Sequence, residues 1–192
     1  MKKVTLFTMF LGIVAAAFLT TSCEKVKDLT SFSVSLPSPE HQFTLDSADY
    51  ALKSIASETL FTYQHITVNI DSILNAHGVS SATITNGNIT NVVVTILLPE
   101  DKNFDWLGSA RLVAGTDLQT LSAGTQIART GTIAPGSISV SLILDNAAIT
   151  NLINNNNFYL GLYGTLLGPL PASQLTLSLN STLVFTISPL GN

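Results

Sequence analysis

The sequence predicts an all-β protein, an antiparallel two-sheet β-sandwich of the Ig-like, Greek-key type with two short helical crossovers. Three observations predict it. Apolar and polar residues alternate with period two through most of residues 31 to 187, turn formers separate the alternating runs, and helical periodicity is nearly absent. Alternation marks a strand with one face buried and the other in water, and many such strands bury their apolar faces by stacking two sheets.

The first strand is "SFSVSLP", with Phe32, Val34 and Leu36 on one face and serines between them. The segment "SADYALKSIAS", residues 47 to 57, is open between helix and loop. "FTYQHITVNI" follows as a strand that sets Phe61, Tyr63 and His65 on one parity, with His65 partly buried. Asp71 then precedes "SILNAHG", a helix of one or two turns ended by Gly78, with Asp71 as its cap and His77 beside its terminal carbonyls. Asn86-Gly87-Asn88 reads as a turn, and "NVVVTILLP", residues 91 to 99, is apolar on both parities and belongs in the middle of a sheet. Beyond a turn at Pro135-Gly136, "SISVSLIL" puts Ile138, Val140, Leu142 and Leu144 on one face. Asp145 caps a second short helix in "NAAITNLINN", and the polar "NNNN" of residues 154 to 157 leads out of it. "FYLGLYGTLL", residues 158 to 167, is a second central strand. After a turn at Gly168-Pro169 comes the longest alternation, "LTLSLNSTLVFTI", where Leu175, Leu177, Leu179, Leu183, Phe185 and Ile187 share one parity. No tandem repeat of 20 to 50 residues is visible.

Composition supports a large core under a nearly neutral surface. Of 192 residues 46% are hydrophobic and only 10% charged, against about one quarter charged in an average domain. The surface must therefore be built from Thr, Ser, Asn and Gln.

The N-terminus carries an address. Met1-Lys2-Lys3 is followed by "VTLFTMFLGIVAAAFL", uncharged from Val4 to Leu19. A spanning helix needs about 20 apolar residues, whereas a signal-peptide core is shorter and ends in small residues. Thr20, Thr21 and Ser22 supply these, and the only cysteine, Cys23, comes next. The arrangement resembles the lipobox of bacterial lipoproteins, in which the thiol receives a diacylglyceryl group, the chain is cut just before it and the new amine is acylated. The usual box has Leu three residues before the Cys; here Thr20 stands there and Leu19 lies one further back, a relaxed form similar to those of the Bacteroidota. The resemblance implies a signal peptide over residues 1–22, a lipidated tether over 23–30 and one domain over 31–192. Three acyl chains, at about 0.8 kcal/mol per buried methylene, would anchor the protein in a bilayer of the cell envelope, in the outer membrane of a Gram-negative bacterium. Cleavage removes Lys2 and Lys3, so the mature chain keeps 6 of 8 basic residues against 12 acidic ones, a formal charge of -6. That balance excludes a nucleic-acid partner, which needs a basic stripe. With Cys23 acylated, no thiol is left for a disulfide or a metal.

From "ITNVVVTILLPEDKNFDWLGSARLVAG" to "LTLSLNSTLVFTI", the chain is also similar to small β-sandwich lipoproteins of the Bacteroidota. In these a strand, an Asn-Phe-Asp-Phe/Trp-Leu turn and a second strand recur, and a short helix precedes the final hairpin. The likeness implies a fold class and no activity.

Residues with chemical potential are few. No Gly-x-Ser-x-Gly elbow accompanies His41, His65 or His77, so no catalytic residues are expected. In "PEDKNFDWLG", Asp101, Asn103 and Asp105 alternate as in calcium loops, and Glu100 adds an oxygen from outside that register. As an EF-hand the loop fails, because Trp106 stands where a glycine should bend the chain and Leu112 where a bidentate Glu should close the cage. A solvated turn is the plainer expectation, with calcium the one cofactor the pattern admits. Trp106, the only tryptophan, stacks on a sugar ring if exposed and closes one end of the core if packed with Phe104 and Leu107; core packing is the expectation, and the same holds for Tyr159 and Tyr163. Asp46-Ser47-Ala48 and Asp71-Ser72-Ile73 fit the Asp-Ser/Thr-aliphatic pattern that resembles the O-glycosylation signal of exported Bacteroidota proteins, Ser47 being the better candidate.

These readings favour a non-catalytic interaction or accessory module in the envelope, holding a protein or glycan partner, with low-charge edge strands open to strand addition. The alternative is a glycan hydrolase with paired carboxylates drawn from Glu100, Asp101, Asp105, Asp117 and Asp145, and it requires two of them to face one another across a cleft.

Overall fold

The computed structural model describes residues 31–38, 40–50 and 57–189. The expected signal peptide, Cys23 and its tether lie outside the described residues, as does most of the segment left open between helix and loop. The strands are β1 (Phe32–Pro37), β2 (His41–Asp46), β3 (Thr59–Thr67), β4 (Ala82–Leu98), β5 (Leu107–Gly115), β6 (Thr125–Arg129), β7 (Ser139–Ser141), β8 (Ile143–Leu144), β9 (Asn157–Leu166) and β10 (Gln174–Pro189). Short helices α1 (Ser47–Tyr50), α2 (Ile70–Ala76) and α3 (Thr150–Asn154) and a 3-10 turn, Leu121–Ala123, lie between them.

Two antiparallel sheets pack face to face, as the alternation predicts. One runs β1-β10-β4-β7 with β2 also on β10, and the other β3-β9-β5-β6-β8. The pairing is nested: β1 and β2 join β10, β3 joins β9, β4 joins β7 and β5 joins β6. A long antiparallel ribbon folded over on itself gives this order, which specifies the Greek-key sandwich as a jelly roll.

β10 organises the first sheet. Leu175, Leu177, Leu179, Leu183, Phe185 and Ile187 all face inward and none is more than 6% exposed. Each such burial is worth about 1.5–3 kcal/mol. Its neighbour β4 cannot keep one parity, because the register against β10 shifts three times. Ile84 faces inward, then Gly87 and Ile89, then Val92, Val94 and Ile96. At the middle shift Asn91 adopts φ 53°, a left-handed conformation that asparagine tolerates.

The structure corrects several local expectations. Asn86-Gly87-Asn88 is no turn; it pairs with Thr186, Phe185 and Val184 inside β4. Its glycine serves a close approach, since Ile153 of α3 fills the space a Cβ would take, and the Ile149 N–H donates to the Gly87 carbonyl at 2.8 Å. The cap of α2 is the Asn69 side chain, which accepts from the Ser72 N–H at 2.9 Å, while Asp71 sits in the first turn. Gly78, at φ 69°, ends that helix as expected. α3 begins at Thr150, not at Asp145, because Asn146 takes φ 51° and breaks any helix begun there. "SISVSLIL" is divided between sheets: Val140 and Leu142 are buried, Ile138 is 57% exposed, and the chain crosses from β7 to β8 at Leu142. In β3 a register shift between Leu60 and Thr62 breaks the expected parity, so Phe61 joins the core while Tyr63 and His65 are exposed. "NVVVTILLP" and "FYLGLYGTLL" do lie between neighbouring strands, in β4 and β9.

The sandwich has two distinct ends. At one, Phe32 at the start of β1 stacks on His77 at the end of α2, with ring centroids 4.6 Å apart, while the His77 backbone N–H, and not its ring, donates to the Leu74 carbonyl at 3.0 Å. The Val68 N–H joins this end to the exit of α3 through the Asn156 carbonyl at 2.8 Å. At the opposite end, four loops are tied together: the Ser47 N–H donates to Ser173, the Phe104 N–H to Ser137 and the Leu167 N–H to Trp106, each at 2.8 Å.

Candidate functional site

The loop end holds the acidic segment and Trp106. Pro135-Gly136 forms a tight turn there, with Gly136 at φ 74° and the Ser137 N–H donating to the Ala134 carbonyl at 3.2 Å. The Asp105 carboxylate accepts from the Gly136 N–H at 2.8 Å and so joins the loop before β5 to the loop before β7. Asn103 turns back on its own backbone, accepting from the Asp105 N–H at 3.1 Å. Asp101 pairs with the neighbouring Lys102 at 2.6 Å, and that hydrogen bond holds its carboxyl below the usual carboxylate range. The side chains of Asp101, Asn103 and Asp105 are thus spent on separate local contacts, and Glu100 is exposed beside them. Among the described residues no group of three or more His, Cys, Asp and Glu is placed to hold a metal.

Trp106 is 6% exposed, too buried to stack on a sugar. Its ring lies 5.9 Å from Phe104 and 6.1 Å from Phe61, closing the loop end of the core. Its Nε1 is buried without a hydrogen-bond partner among the described residues.

Tyr163 is likewise no open stacking surface. It lies at 8% exposure on the outer side of the second sheet, against Val113 and Leu121. The Arg111 guanidinium stands over its ring at 5.1 Å and donates to both carboxylate oxygens of Glu58, at 2.5 and 2.7 Å. Those hydrogen bonds depress the Glu58 pKa, and burial raises that of Tyr163. Tyr159 is half-buried and stacks on His65 at 4.8 Å.

The carboxylates of the hydrolase alternative are divided. Asp105 belongs to the loop end, whereas Asp145 accepts from Gln126 and Arg129, at 2.6 and 3.0 Å, beyond β8. Its pKa is lowered by Gln126 first and Arg129 second. Asp117 accepts from the Gln119 N–H at 2.8 Å in the loop after β5, at the other end from Asp105. Of the two Asp-Ser motifs, Ser72 is exposed in the first turn of α2, while Ser47 is half-buried at the start of α1. Accessibility therefore ranks them opposite to the sequence expectation.

Exposed apolar residues at the loop end form a feature the sequence pattern hides. Leu98 is 55% exposed, Ile138 57% and Leu167 66%. Leu98 ends β4, Ile138 precedes β7 and Leu167 follows β9, so all three flank the loops around Trp106. Each sits in an alternating or apolar run that reads as core, and only the strand ends reveal otherwise.

No family model and no curated protein matches the chain. Among solved structures it is similar to the crystal structure of the decameric BFDV capsid protein, at TM-score 0.42 and 13% identity over 82% of this chain and 99% of that one. It is also similar to the Kashmir bee virus empty particle at acidic pH, at TM-score 0.35 and 10% identity over 82% of this chain and 94% of that one. The jelly-roll assignment rests on the strand pairing of this chain.

Proposed function

We infer that the chain is a lipid-anchored envelope β-sandwich acting as a non-catalytic interaction module, held to the membrane through an acylated Cys23 and presenting its loop end to a protein or glycan partner. One observation carries the reading: the exposed Leu98, Ile138 and Leu167 gather at the end opposite the start of β1, where the tether would join. β10 spans the sandwich with 16 residues, roughly 50 Å at about 3.3 Å per residue. An anchored domain so oriented carries its apolar tip well clear of the bilayer, where exposed apolar residues mark contact surfaces.

Crosslinking with mass spectrometry on intact native cells, using the full lipidated protein, tests this reading. Lys102 lies in the loop end and provides the attachment point. One reproducible partner crosslinked through Lys102, and lost in Leu98→Asp/Leu167→Asp, is the expected result. Absence of any protein partner despite efficient labelling narrows the partner to a glycan, and failure of a glycan screen as well, or an intact mass without acyl chains on Cys23, would overturn the reading.

A further inference from the structure

Between the two sheets, on the side where β1 and β3 form the facing edges, an apolar cleft of about 350 Å³ reaches into the core. Leu36, Ile66, Val68, Ile89, Leu160 and Leu183 supply most of its aliphatic wall, with Phe158 as its one aromatic ring outside the mouth. Among its described lining residues the Ser38 hydroxyl donates to the Gln64 amide oxygen across the cleft at 3.3 Å. That bond leaves the two N–H donors of the Gln64 amide without an acceptor among the described residues.

Ser181 is the informative residue. It stands on the inward parity of β10, where every other residue from Leu175 to Ile187 is Leu, Phe or Ile. It is 7% exposed, lines the cleft, and its hydroxyl has no hydrogen-bond partner among the described residues. Trp106 Nε1, and not the Ser181 hydroxyl, is the fully buried side-chain polar atom without a partner among the described residues, so the Ser181 hydroxyl is open to the cleft and can donate to or accept from whatever fills it.

We propose that this cleft binds an uncharged medium-chain aliphatic molecule whose single hydroxyl or carbonyl group pairs with the Ser181 hydroxyl. The aliphatic wall fits a hydrocarbon chain, and apolar residues outnumber the polar liners Ser38, Gln64, His65, Thr67 and Ser181. No Lys, Arg, Asp or Glu lines the space, so a buried carboxylate or phosphate would lack a counter-charge. The only titratable liner, His65, has its ring stacked on Tyr159. A volume near 350 Å³ stands at the small end of ligand sites, which run from about 300 to 1,000 Å³, and selects a single chain over a sterol or a diacyl lipid. The inference is independent of the anchor and of the loop-end partner.

The test uses the full mature chain carrying Cys23→Ser, titrated with 1-decanol and, separately, with decanoate at pH 8. Saturable binding of one decanol per chain is expected, with amide shift changes confined to Ser38, Gln64, Ile66, Ile89 and Ser181. Ser181→Ala is expected to weaken it about fivefold, and decanoate to bind at least tenfold more weakly than decanol. Ile66→Phe, which fills the cleft without touching the hydroxyl, should abolish it. No saturable decanol binding to the wild-type chain, shift changes outside the cleft, or equal affinity for decanoate would each overturn the proposal, and the wild-type shift map decides the matter even where a variant fails to fold.

Discussion

Ile153 of α3 occupies the space over Gly87 of β4 in which any side chain at position 87 would have to stand. The contact fixes a helix against the sheet at the end where the chain begins β1. It also explains a glycine in mid-strand, where the residue costs stability through lost conformational entropy. Gly87→Ala should therefore destabilise the fold by about 1–3 kcal/mol. The atom that meets the new Cβ is Ile153 Cδ1, which valine lacks. Ile153→Val alone should cost about 0.5–1.5 kcal/mol, and the double variant clearly less than the sum. Denaturant unfolding of the four proteins measures that coupling.

Gly87 also marks where the sequence stops being legible. Asn-Gly-Asn reads as a turn by composition, yet the same residues suit a strand that must admit a helix. β10 was readable throughout because it keeps one parity for its whole length. β4 was not, since each register shift moves its inward set to the other parity without changing the kind of residue used. Asp71 and Asp145 precede helical patterns equally well, but Asn69 reaches the free N–H groups of α2 and the left-handed Asn146 separates Asp145 from α3. The nesting of β1 with β10 and β3 with β9 joins opposite ends of the chain, and no local pattern encodes it. Ser181 was visible as one polar residue in an apolar parity, the single trace of the cleft in the sequence.

Trp106 gives a direct test of burial. As the only tryptophan, packed between Phe61 and Phe104, it should emit at short wavelength and resist acrylamide quenching. Emission near that of free indole and open quenching would contradict the packing. Trp106→Ala should cost about 3–5 kcal/mol.

His41 makes the sandwich sensitive to mild acid. Its Nε2 meets the Thr62 hydroxyl at 2.8 Å across the facing edges of the two sheets, and burial lowers its pKa below 6.5. The unfolded chain takes up a proton near pH 6.5 while the folded one resists it. Stability from this group is therefore complete above that pH and declines as pH falls from 6.5 toward the lower folded value. Tm measured from pH 8 to pH 5 should drop through this window, and His41→Gln should flatten the drop.

The Glu58–Arg111 pair acts with the opposite proton count. Glu58 is depressed below its ordinary value of 4.5 by its hydrogen bonds to Arg111, so its contribution is present above pH 4.5 and lost as pH falls through the folded value. The Glu58 side chain is 40% exposed, and solvent screening keeps the worth of the pair under about 1 kcal/mol. Glu58→Gln should therefore lower stability slightly at pH 7, and the difference from wild type should vanish as the pH falls through the lowered folded value. Persistence of the full difference in acid would show that packing over Tyr163 matters more than charge.

The acidic loop separates a structural carboxylate from a decorative one. Asp105 joins two loops through the Gly136 N–H, whereas Asp101 touches only the adjacent, sequence-local Lys102 and has 70% of its side chain exposed. Removing Asp105 frees the turn at Pro135-Gly136 from the loop that carries Trp106, and Asp105→Ala should cost about 1 kcal/mol. Asp101→Ala should leave stability unchanged, since its partner returns to water without loss. If the loop held calcium through alternate carboxylates, both substitutions would weaken the same site, and added Ca²⁺ would raise the Tm of the wild type but of neither variant. With each side chain bound to a different partner, the expected result is an asymmetric pair of variants whose Tm values, like that of the wild type, are the same in calcium and in EDTA.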